Sequence, residues 1–335
     1  MSRLIDRYDA SGFDLDGVIY RGPDAVPGAA AAIAGLRDLG VKVGFVTNNA
    51  QRPPQAVVDH LNRIGIPTVA ADVVTSAQAE ARLMAAELPA GAEVLVVGSE
   101  ALADELRGVG LAPVFRRSAA TAAIVVGFEP SLTWEDFNQG CYAVQAGARY
   151  FACNNDQTRP TDQGIAIGMG GMLAAMERAL PGLEPPMAGK PFRPLLDETV
   201  RRLGAERMVF VGDRLDTDIE GAVTVGLDSL FVLSGSHGKA HLAAAGPQER
   251  PTWLAWDVRG LLEEPRVAVV EGAASHCRGV TATVADGAVT LDVTPADAEG
   301  QADALWAVLT LTWAQADAGT RVNVTEVLEA LDLVP

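Results

Sequence analysis

Two aspartates separated by a single residue, Asp14 and Asp16, lie at the end of a short apolar run and directly before Gly17. In extended backbone the side chains of residues i and i+2 share one face, so the two carboxylates would lie side by side. Such a pair can bind a hard cation, or one ionised carboxylate can attack while the other carries a proton. Taken alone, a pair of this kind is more often a solvated turn.

A hydroxyl and two amides follow a second apolar run. Thr47, Asn48 and Asn49 come directly after residues 41–46, which predict a short buried strand. Neutral donors at the end of a strand suit a phosphate group, although a polar cap on the next helix explains them equally well.

A second acidic group and a lysine complete the set. Asp213 and Asp218 follow the apolar run 208–212, and Lys190 precedes a predicted helix. Open α/β sheets bind ligands outside the carboxyl ends of their strands, which is where these groups would converge. We therefore expect one site that contains acids, neutral donors and one cation.

The elements that must position these residues alternate between short apolar strands and amphipathic helices. This pattern predicts an α/β fold with a doubly wound sheet. Helices are predicted from Gly28 to Gly40, after Pro53 as far as Gly65, and over residues 77–87. A second α/β series, over residues 93–152, is predicted to be an inserted domain.

The pattern changes after residue 265. Alternating apolar residues flank Asp286 and Gly287, a strong signal for a β-hairpin. An amphipathic helix over 298–318, with its two tryptophans in the core, and a last strand over 322–324 are also predicted. These elements indicate a small α+β domain.

The four groups together resemble the motifs of the haloacid dehalogenase superfamily: Asp-x-Asp, a Thr after the second core strand, a Lys, and Gly-Asp-x-x-x-x-Asp. The insert between the second and third motifs resembles the C2-capped branch, which includes NagD-like, 4-nitrophenylphosphate and phosphoglycolate phosphatases. The resemblance covers residues 8 to about 260. One departure is the run 10–12, which is less apolar than the usual family strand.

The resemblance implies a fold and domain limits. Residues 1–82 and 187–262 would form a Rossmann-like core, and residues 83–186 a C2 cap that closes over the site and sets specificity. Residues 265–335 look like the half-acetyltransferase extension of actinobacterial glycerol 3-phosphate phosphatases. Half of such a fold lacks a complete acetyl-CoA cleft, which argues against acetyl transfer.

The resemblance also implies a mechanism. Asp14 would be the nucleophile on phosphorus, and Asp16 would protonate the leaving oxygen and later activate water. Asp14, Asp213 and the main-chain carbonyl of Asp16 would hold Mg²⁺, with Asp218 behind them. The phosphate would be held by Thr47, Asn48, Asn49 and Lys190. The cap residues that could contact the substrate by this resemblance include Asn154, Asn155, Asp156 and Arg159, although ordinary turns explain them about as well.

The composition limits the kinds of partner that the protein is expected to have. The formal net charge of −17 argues against a nucleic-acid backbone, and no apolar run approaches the length of a membrane span. The three cysteines, which lack metal-ligand spacing, are expected to be buried thiols. We therefore expect a cytoplasmic protein whose partner is a small phosphorylated metabolite, and a homodimer by analogy with the family.

The expected function is hydrolysis of a small phosphate monoester through an aspartyl phosphate on Asp14, with glycerol 3-phosphate as the preferred substrate. Phosphoglycolate, nucleotides and other phosphorylated metabolites stay open. A different class is also open: a metabolite-binding or dimerisation protein with vestigial catalysis.

Overall fold

A computed structural model gives the structure of residues 2–161 and 163–335. Contacts divide the chain into two compact units, one made of Met1–Lys42 and Glu206–Pro335 and the other of Val43–Ala205. Both units combine parallel strands with helices, which confirms the predicted α/β class. The predicted domain limits at residues 82 and 186 stay predictions.

The first unit contains a parallel sheet of apolar strands. Strands Ala10–Phe13 and Met208–Gly212 pair in parallel, and every residue of both is buried, as expected where both faces of a sheet are covered. A Cβ at Gly12 would lie 3.0 Å from the ring of Phe210, so the less apolar run 10–12 makes room for an aromatic neighbour. The strands lie in the order Trp253–Ala255, Asp228–Val232, Met208–Gly212, Ala10–Phe13.

Helices of the first unit connect these strands. The predicted helix after Gly28 is confirmed as Ala29–Asp38, and its buried face includes Ile33 and Leu36. The other helices and helical turns before residue 265 are Leu4–Arg7, Leu215–Ile219, Glu220–Val225, Lys239–Ala244, Pro247–Glu249 and Val258–Leu262, and a hairpin is formed by Tyr20–Arg21 and Asp24–Ala25.

The C-terminal part of the first unit is an antiparallel sheet covered by a long helix. The predicted hairpin is confirmed, with Asp286 at φ 50° and Gly287 at φ 77°. The predicted last strand over 322–324 is wrong, because Asn323 forms only an isolated bridge and a helix begins two residues later. The strands, in order, are Ala268–Glu271, Ala274–Cys277, Val280–Ala285 and Ala288–Leu291, and the helices are Ala298–Asp317 and Thr325–Ala330.

The long helix supplies most of the core of this C-terminal part. Trp306 and Trp313 are 5% and 7% exposed, and their rings meet edge to face with centroids 5.7 Å apart. The indole N–H of Trp313 donates to the carbonyl of Leu242 at 3.1 Å, which ties the helix to the preceding part of the same unit. The two tryptophans are therefore core residues, as the sequence predicted.

The second unit contains two groups of parallel strands. Lys42–Thr47 pairs with Val73–Thr75, and a separate four-stranded sheet has the order Ala112–Val114, Glu93–Val97, Thr121–Val126, Arg149–Ala152. Strands Thr158–Thr161 and Gly164–Ile167 form an antiparallel hairpin. The helices are Pro54–Arg63, Ser76–Glu87, Glu100–Gly108, Trp134–Gln145, Met169–Glu177 and Arg193–Leu203.

Two expectations about burial can be checked directly. Cys141, Cys153 and Cys277 are free thiols and all three are buried, as predicted. Within residues 2–161 and 163–335, none of the helices combines the length and the apolar character that a membrane crossing requires.

Candidate active site

Three carboxylates meet at the end of the parallel sheet of the first unit. Asp14 follows strand Ala10–Phe13, and its N–H donates to the carbonyl of Val211 at 2.9 Å, so it adjoins the end of the strand that leads to Asp213. One carboxylate oxygen from each of Asp14, Asp213 and Asp218 lies within 4.8 Å of the other two. These three residues are called the acidic group below.

Glycines make the space in which the acidic group fits. A Cβ at Gly235 would lie 2.0 Å from Oδ2 of Asp213, and a Cβ at Gly17 would lie 2.5 Å from the same atom. Gly17 also has a φ of +87°, which disfavours any other residue. A Cβ at Gly212 would lie 2.2 Å from the Cβ of Asp218. Asp213 and Asp218, the two buried acids, therefore lie directly against glycine backbone.

Main-chain donors hold two members of the acidic group, Asp213 and Asp218, in position. Oδ2 of Asp218 accepts the N–H groups of Asp213 and Arg214 at 3.2 and 3.1 Å, and Oδ2 of Asp213 accepts the N–H of Ser236 at 2.6 Å. These contacts fix the directions in which the carboxylates point. They are made by backbone, whose position the fold itself determines.

The donor set fits magnesium. Mg²⁺ is held in proteins by one or two carboxylates together with other oxygen ligands, and the acidic group offers three carboxylates in a glycine-lined space. Asp16 is exposed, and its carboxylate is not a member of the group. Its predicted part in metal binding concerns the main-chain carbonyl and stays a prediction.

The second unit positions Lys190 through a side-chain amide. Oδ1 of Asn48 accepts the N–H of Lys190 at 2.7 Å, and Nδ2 of Asn48 donates to the carbonyl of Lys190 at 3.0 Å. Lys190 is 2% exposed, so these bonds form in a buried environment. Asn48 thus fixes the backbone of the lysine from both sides.

Asn48 is itself held by the loop that follows strand Arg149–Ala152. Its Nδ2 also donates to Oδ1 of Asp156 at 2.8 Å, and its carbonyl accepts from Nδ2 of Asn154 at 2.8 Å. A Cβ at Gly189 would lie 2.7 Å from the Cβ of Asn154, so residue 189 must be small. Of the predicted site residues, the structure brings Asn48, Asp156 and Lys190 together. The prediction that Asn48 also contacts phosphate stays a prediction.

A buried carboxyl, Glu80, was missed in the sequence. It lies on helix Ser76–Glu87, and its Oε2 accepts the N–H of Ala188 at 2.7 Å, two residues before Lys190. Burial raises the pKa of Glu80 well above its usual range. The only signal for Glu80 in the sequence was one acid on the buried side of an alanine-rich helix. Residues 188–190, which Glu80 and Asn48 hold, are called the lysine loop below.

The remaining predicted site residues make contacts with other residues of the second unit. Thr47 is buried and its Oγ1 accepts the N–H of Asn49 at 3.1 Å, while the side chain of Asn49 accepts the N–H of Gln51 at 2.8 Å. Asn155 is exposed, with its side-chain oxygen bonded to the amide of Gln157. The guanidinium of Arg159 lies over the ring of Phe128, 4.7 Å from its centroid.

Comparison with known proteins gives the family. The family model described as haloacid dehalogenase-like hydrolase matches residues 12–112, and a second model, described as HAD-hydrolase-like, matches residues 187–261. A D-glycerol 3-phosphate phosphatase from Mycobacterium tuberculosis is 40% identical over 270 residues, which are 81% of this chain and 75% of that protein. The chain belongs to the haloacid dehalogenase-like hydrolases.

A second relative and a solved structure are also similar to this chain. A 5'-nucleotidase from Bacillus subtilis is 33% identical over 241 residues, 71% of this chain and 91% of that protein. The crystal structure of a Mycobacterium tuberculosis glycerol phosphate phosphatase in complex with magnesium has a TM-score of 0.82 and 36% identity, over 92% of each chain. The predicted membership of the superfamily and its predicted fold are therefore confirmed.

Proposed function

We propose that this chain is a magnesium-dependent phosphatase whose substrate is glycerol 3-phosphate. The observation that carries the proposal is the acidic group itself, in which Asp14 lies beside Asp213 and Asp218. The relatives confirm the predicted enzyme class, because those compared above are phosphatases or a nucleotidase of the same superfamily. The substrate is a small phosphorylated metabolite.

Asp14 and Asp16 divide the chemistry between them. A carboxylate oxygen of Asp14 attacks phosphorus, the bond from phosphorus to the leaving oxygen breaks, and the carboxylic acid of Asp16 gives its proton to that oxygen. Water then attacks the phosphorus of the aspartyl phosphate while Asp16 takes a proton from it. This step releases phosphate and restores Asp14. The exposure of Asp16 supports its role, because a proton carrier needs access to both the leaving group and water.

Magnesium would be held by Asp14, Asp213 and the main-chain carbonyl of Asp16, and would offset negative charge on the phosphate during transfer. The magnesium complex of the mycobacterial relative supports this choice of cation. Asp218 keeps Asp213 in place through the main-chain bond from the N–H of Asp213.

The phosphate is bound by Lys190 together with Thr47, Asn48 and Asn49. The order of the four family motifs along the chain supports this role for these residues. The lysine supplies positive charge and the others supply neutral donors, which together stabilise the charge that develops on the transferring phosphoryl group. The two hydrogen bonds between the amide of Asn48 and the main chain of Lys190 support a fixed position for the backbone of this lysine.

The choice of glycerol 3-phosphate rests on the mycobacterial relative, which is named for that substrate. Asn155 and Asp156 are proposed to contact the glycerol part, and the bond from Asn48 to Asp156 links that loop to Lys190. The Bacillus relative favours a nucleoside 5'-monophosphate as the second candidate. The cytoplasmic location and the homodimer stay predictions.

Phosphate release from a panel of monoesters tests the proposal. The panel contains D-glycerol 3-phosphate, phosphoglycolate and a nucleoside 5'-monophosphate, each with Mg²⁺ and with EDTA. We expect the highest kcat/KM for glycerol 3-phosphate, no turnover in EDTA, and a loss of about 10³-fold or more in Asp14→Asn. A higher kcat/KM for the nucleotide would mean that the substrate is a nucleoside 5'-monophosphate and not glycerol 3-phosphate. Absence of turnover on every ester would favour a binding protein with vestigial catalysis.

A further inference from the structure

A segment of the first unit connects both acid-bearing loops. Residues 234–238, called the support segment, follow strand Asp228–Val232 closely. The N–H of Ser236 donates to Oδ2 of Asp213 at 2.6 Å, and Oγ of Ser234 donates to the carbonyl of Gly17 at 2.7 Å. The segment therefore contacts the loop after Asp16 and the loop that carries Asp213.

The next residue of the support segment adds two contacts to the Asp213 loop. The N–H of His237 donates to the carbonyl of Asp213 at 3.3 Å, and Nδ1 of His237 accepts the N–H of Leu215 at 3.1 Å. The ring of His237 stacks on that of His241, with centroids 4.2 Å apart. The position of Asp213 thus depends on how firmly the support segment is held.

The support segment is held at its far end by residues 331–335, called the terminal segment. Nζ of Lys239 donates to the carbonyls of Leu331 and Val334 at 2.6 and 2.8 Å, and the N–H of Lys239 donates to the carbonyl of Pro335 at 2.7 Å. A Cβ at Gly238 would lie 2.5 Å from that same oxygen, so the two pieces of backbone are in close contact.

The terminal segment is itself well anchored. Leu331 and Val334 are fully or almost fully buried, in the same core as Trp306 and Leu242. The carbonyl of Leu331 follows helix Thr325–Ala330, where carbonyls have no partner within the helix and a lysine ammonium satisfies them well. Lys239 therefore joins a segment with buried side chains to the support segment.

We propose that Lys239 and the terminal segment position Asp213 for metal binding, so that the C-terminal domain is a structural part of the magnesium site. The inference rests on the proposed function, since it concerns the metal of that site. Lys239 touches neither substrate nor metal, and is a positioning residue. Loss of the two bonds from its ammonium leaves the support segment held at this end by the main-chain bond to Pro335 alone, which gives Oδ2 of Asp213 more freedom to move.

The test compares Lys239→Met, which removes the ammonium and keeps the length of the side chain, with Lys239→Arg, which keeps a cationic donor. Lys42→Met is the matched control, because Lys42 is an exposed lysine of the same unit, paired with Asp9 at 3.5 Å. Two measurements are made on each variant: Mg²⁺ affinity by calorimetry, and hydrogen exchange of residues 234–238 in the metal-free protein.

We expect Lys239→Met to weaken Mg²⁺ binding by about tenfold and to speed exchange in the support segment. Lys239→Arg should recover most of the affinity, and Lys42→Met should match the wild type. Far-ultraviolet circular dichroism checks that each variant is folded.

The two possible failures are distinguishable. If folded Lys239→Met exchanges and binds Mg²⁺ like the wild type, and the wild type hydrolyses an ester of the panel, the inference is wrong while the proposed function stands. A wild type that binds no Mg²⁺ and hydrolyses no ester would contradict the proposed function and the inference with it.

Discussion

The acidic group and the lysine loop are both fixed in position, but by different kinds of contact. Asp213 and Asp218 accept main-chain N–H groups and lie against glycines that leave no room for a Cβ. The lysine loop is held by a main-chain bond, from the N–H of Gly189 to the carbonyl of Cys153 at 2.8 Å, and also by two side chains, the amide of Asn48 and the buried carboxyl of Glu80. The two buried acids are held by backbone donors, whereas the lysine loop also depends on the chemistry of single side chains.

The difference follows from the charges involved. Ionised carboxylates are hydrogen-bond acceptors, so backbone N–H groups suit them, and the space for a cation requires residues without side chains nearby. The backbone of a lysine offers one donor and one acceptor, and a side-chain amide that is both donor and acceptor holds it well. Steric substitutions should therefore damage the acidic group abruptly, whereas polar substitutions should damage the lysine loop by degrees.

The largest effect is expected for Gly235→Ala. The new Cβ would overlap Oδ2 of Asp213, whose distance from that position is 2.0 Å, and must displace the carboxylate. We expect kcat/KM to fall by about 100-fold or more, because displacements near 1 Å have effects of this size. Gly108→Ala is the control, since a Cβ there meets no atom within 4 Å. Similar kinetics for the two variants would show that the acidic group tolerates displacement.

A smaller effect is expected for Asn48→Ala. It removes both bonds to the main chain of Lys190, which should lower kcat/KM by about tenfold, or about 1.4 kcal/mol in the barrier. The free energy of unfolding, measured in urea, should fall by about 1–3 kcal/mol because buried groups lose partners.

Asn62→Ala is the matched control for this variant. Asn62 holds the backbone of Thr68 in the same two-sided manner, at 2.9 and 3.1 Å. It should lose stability and keep its activity. Equal loss of activity in both asparagine variants would contradict a specific role for Asn48.

The smallest effect is expected for Glu80→Gln, and it concerns stability. Because burial raises the pKa of Glu80 in the folded protein, the folded state holds the proton more tightly than the unfolded state. The contribution of this group is complete below its unfolded pKa and is lost as the pH rises towards the folded value. We therefore compare the free energy of unfolding of the wild type with that of Glu80→Gln. Above a pH of about 4.5 the wild-type value should fall relative to that of the variant, by at most about 1.4 kcal/mol per pH unit.

Urea unfolding at several pH values measures this difference, with Glu177→Gln, an exposed acid on helix Met169–Glu177, as the control. Parallel curves for wild type and Glu80→Gln would mean that Glu80 ionises normally in the fold.

The sequence revealed the acidic group because its members follow apolar strands, where position along the chain also fixes position in the sheet. Asp14 and Asp213 were found in this way. The bond between Asn48 and Lys190 spans 142 residues, and no local pattern predicts it. Glu80 was missed for the same reason, since only the packed structure shows that it faces Ala188.

The C-terminal part of the first unit shows the same limit of prediction from sequence. The turn at Asp286 and Gly287 was predictable because its backbone conformation selects these residue types. The prediction of a last strand over 322–324 was wrong. A run of only three residues does not determine whether strand pairing extends beyond the single bridge at Asn323. The contacts of Lys239 with the terminal segment depend on the fold of the whole domain.

The most direct test of the account is to trap the proposed covalent intermediate. The enzyme is mixed with glycerol 3-phosphate and Mg²⁺, quenched in acid during turnover and reduced with borohydride, which converts an aspartyl phosphate to homoserine. Peptide mass spectrometry should then find homoserine at position 14, dependent on both substrate and Mg²⁺. Turnover without homoserine at position 14, or with homoserine at another aspartate, would contradict the assignment of Asp14 as the nucleophile.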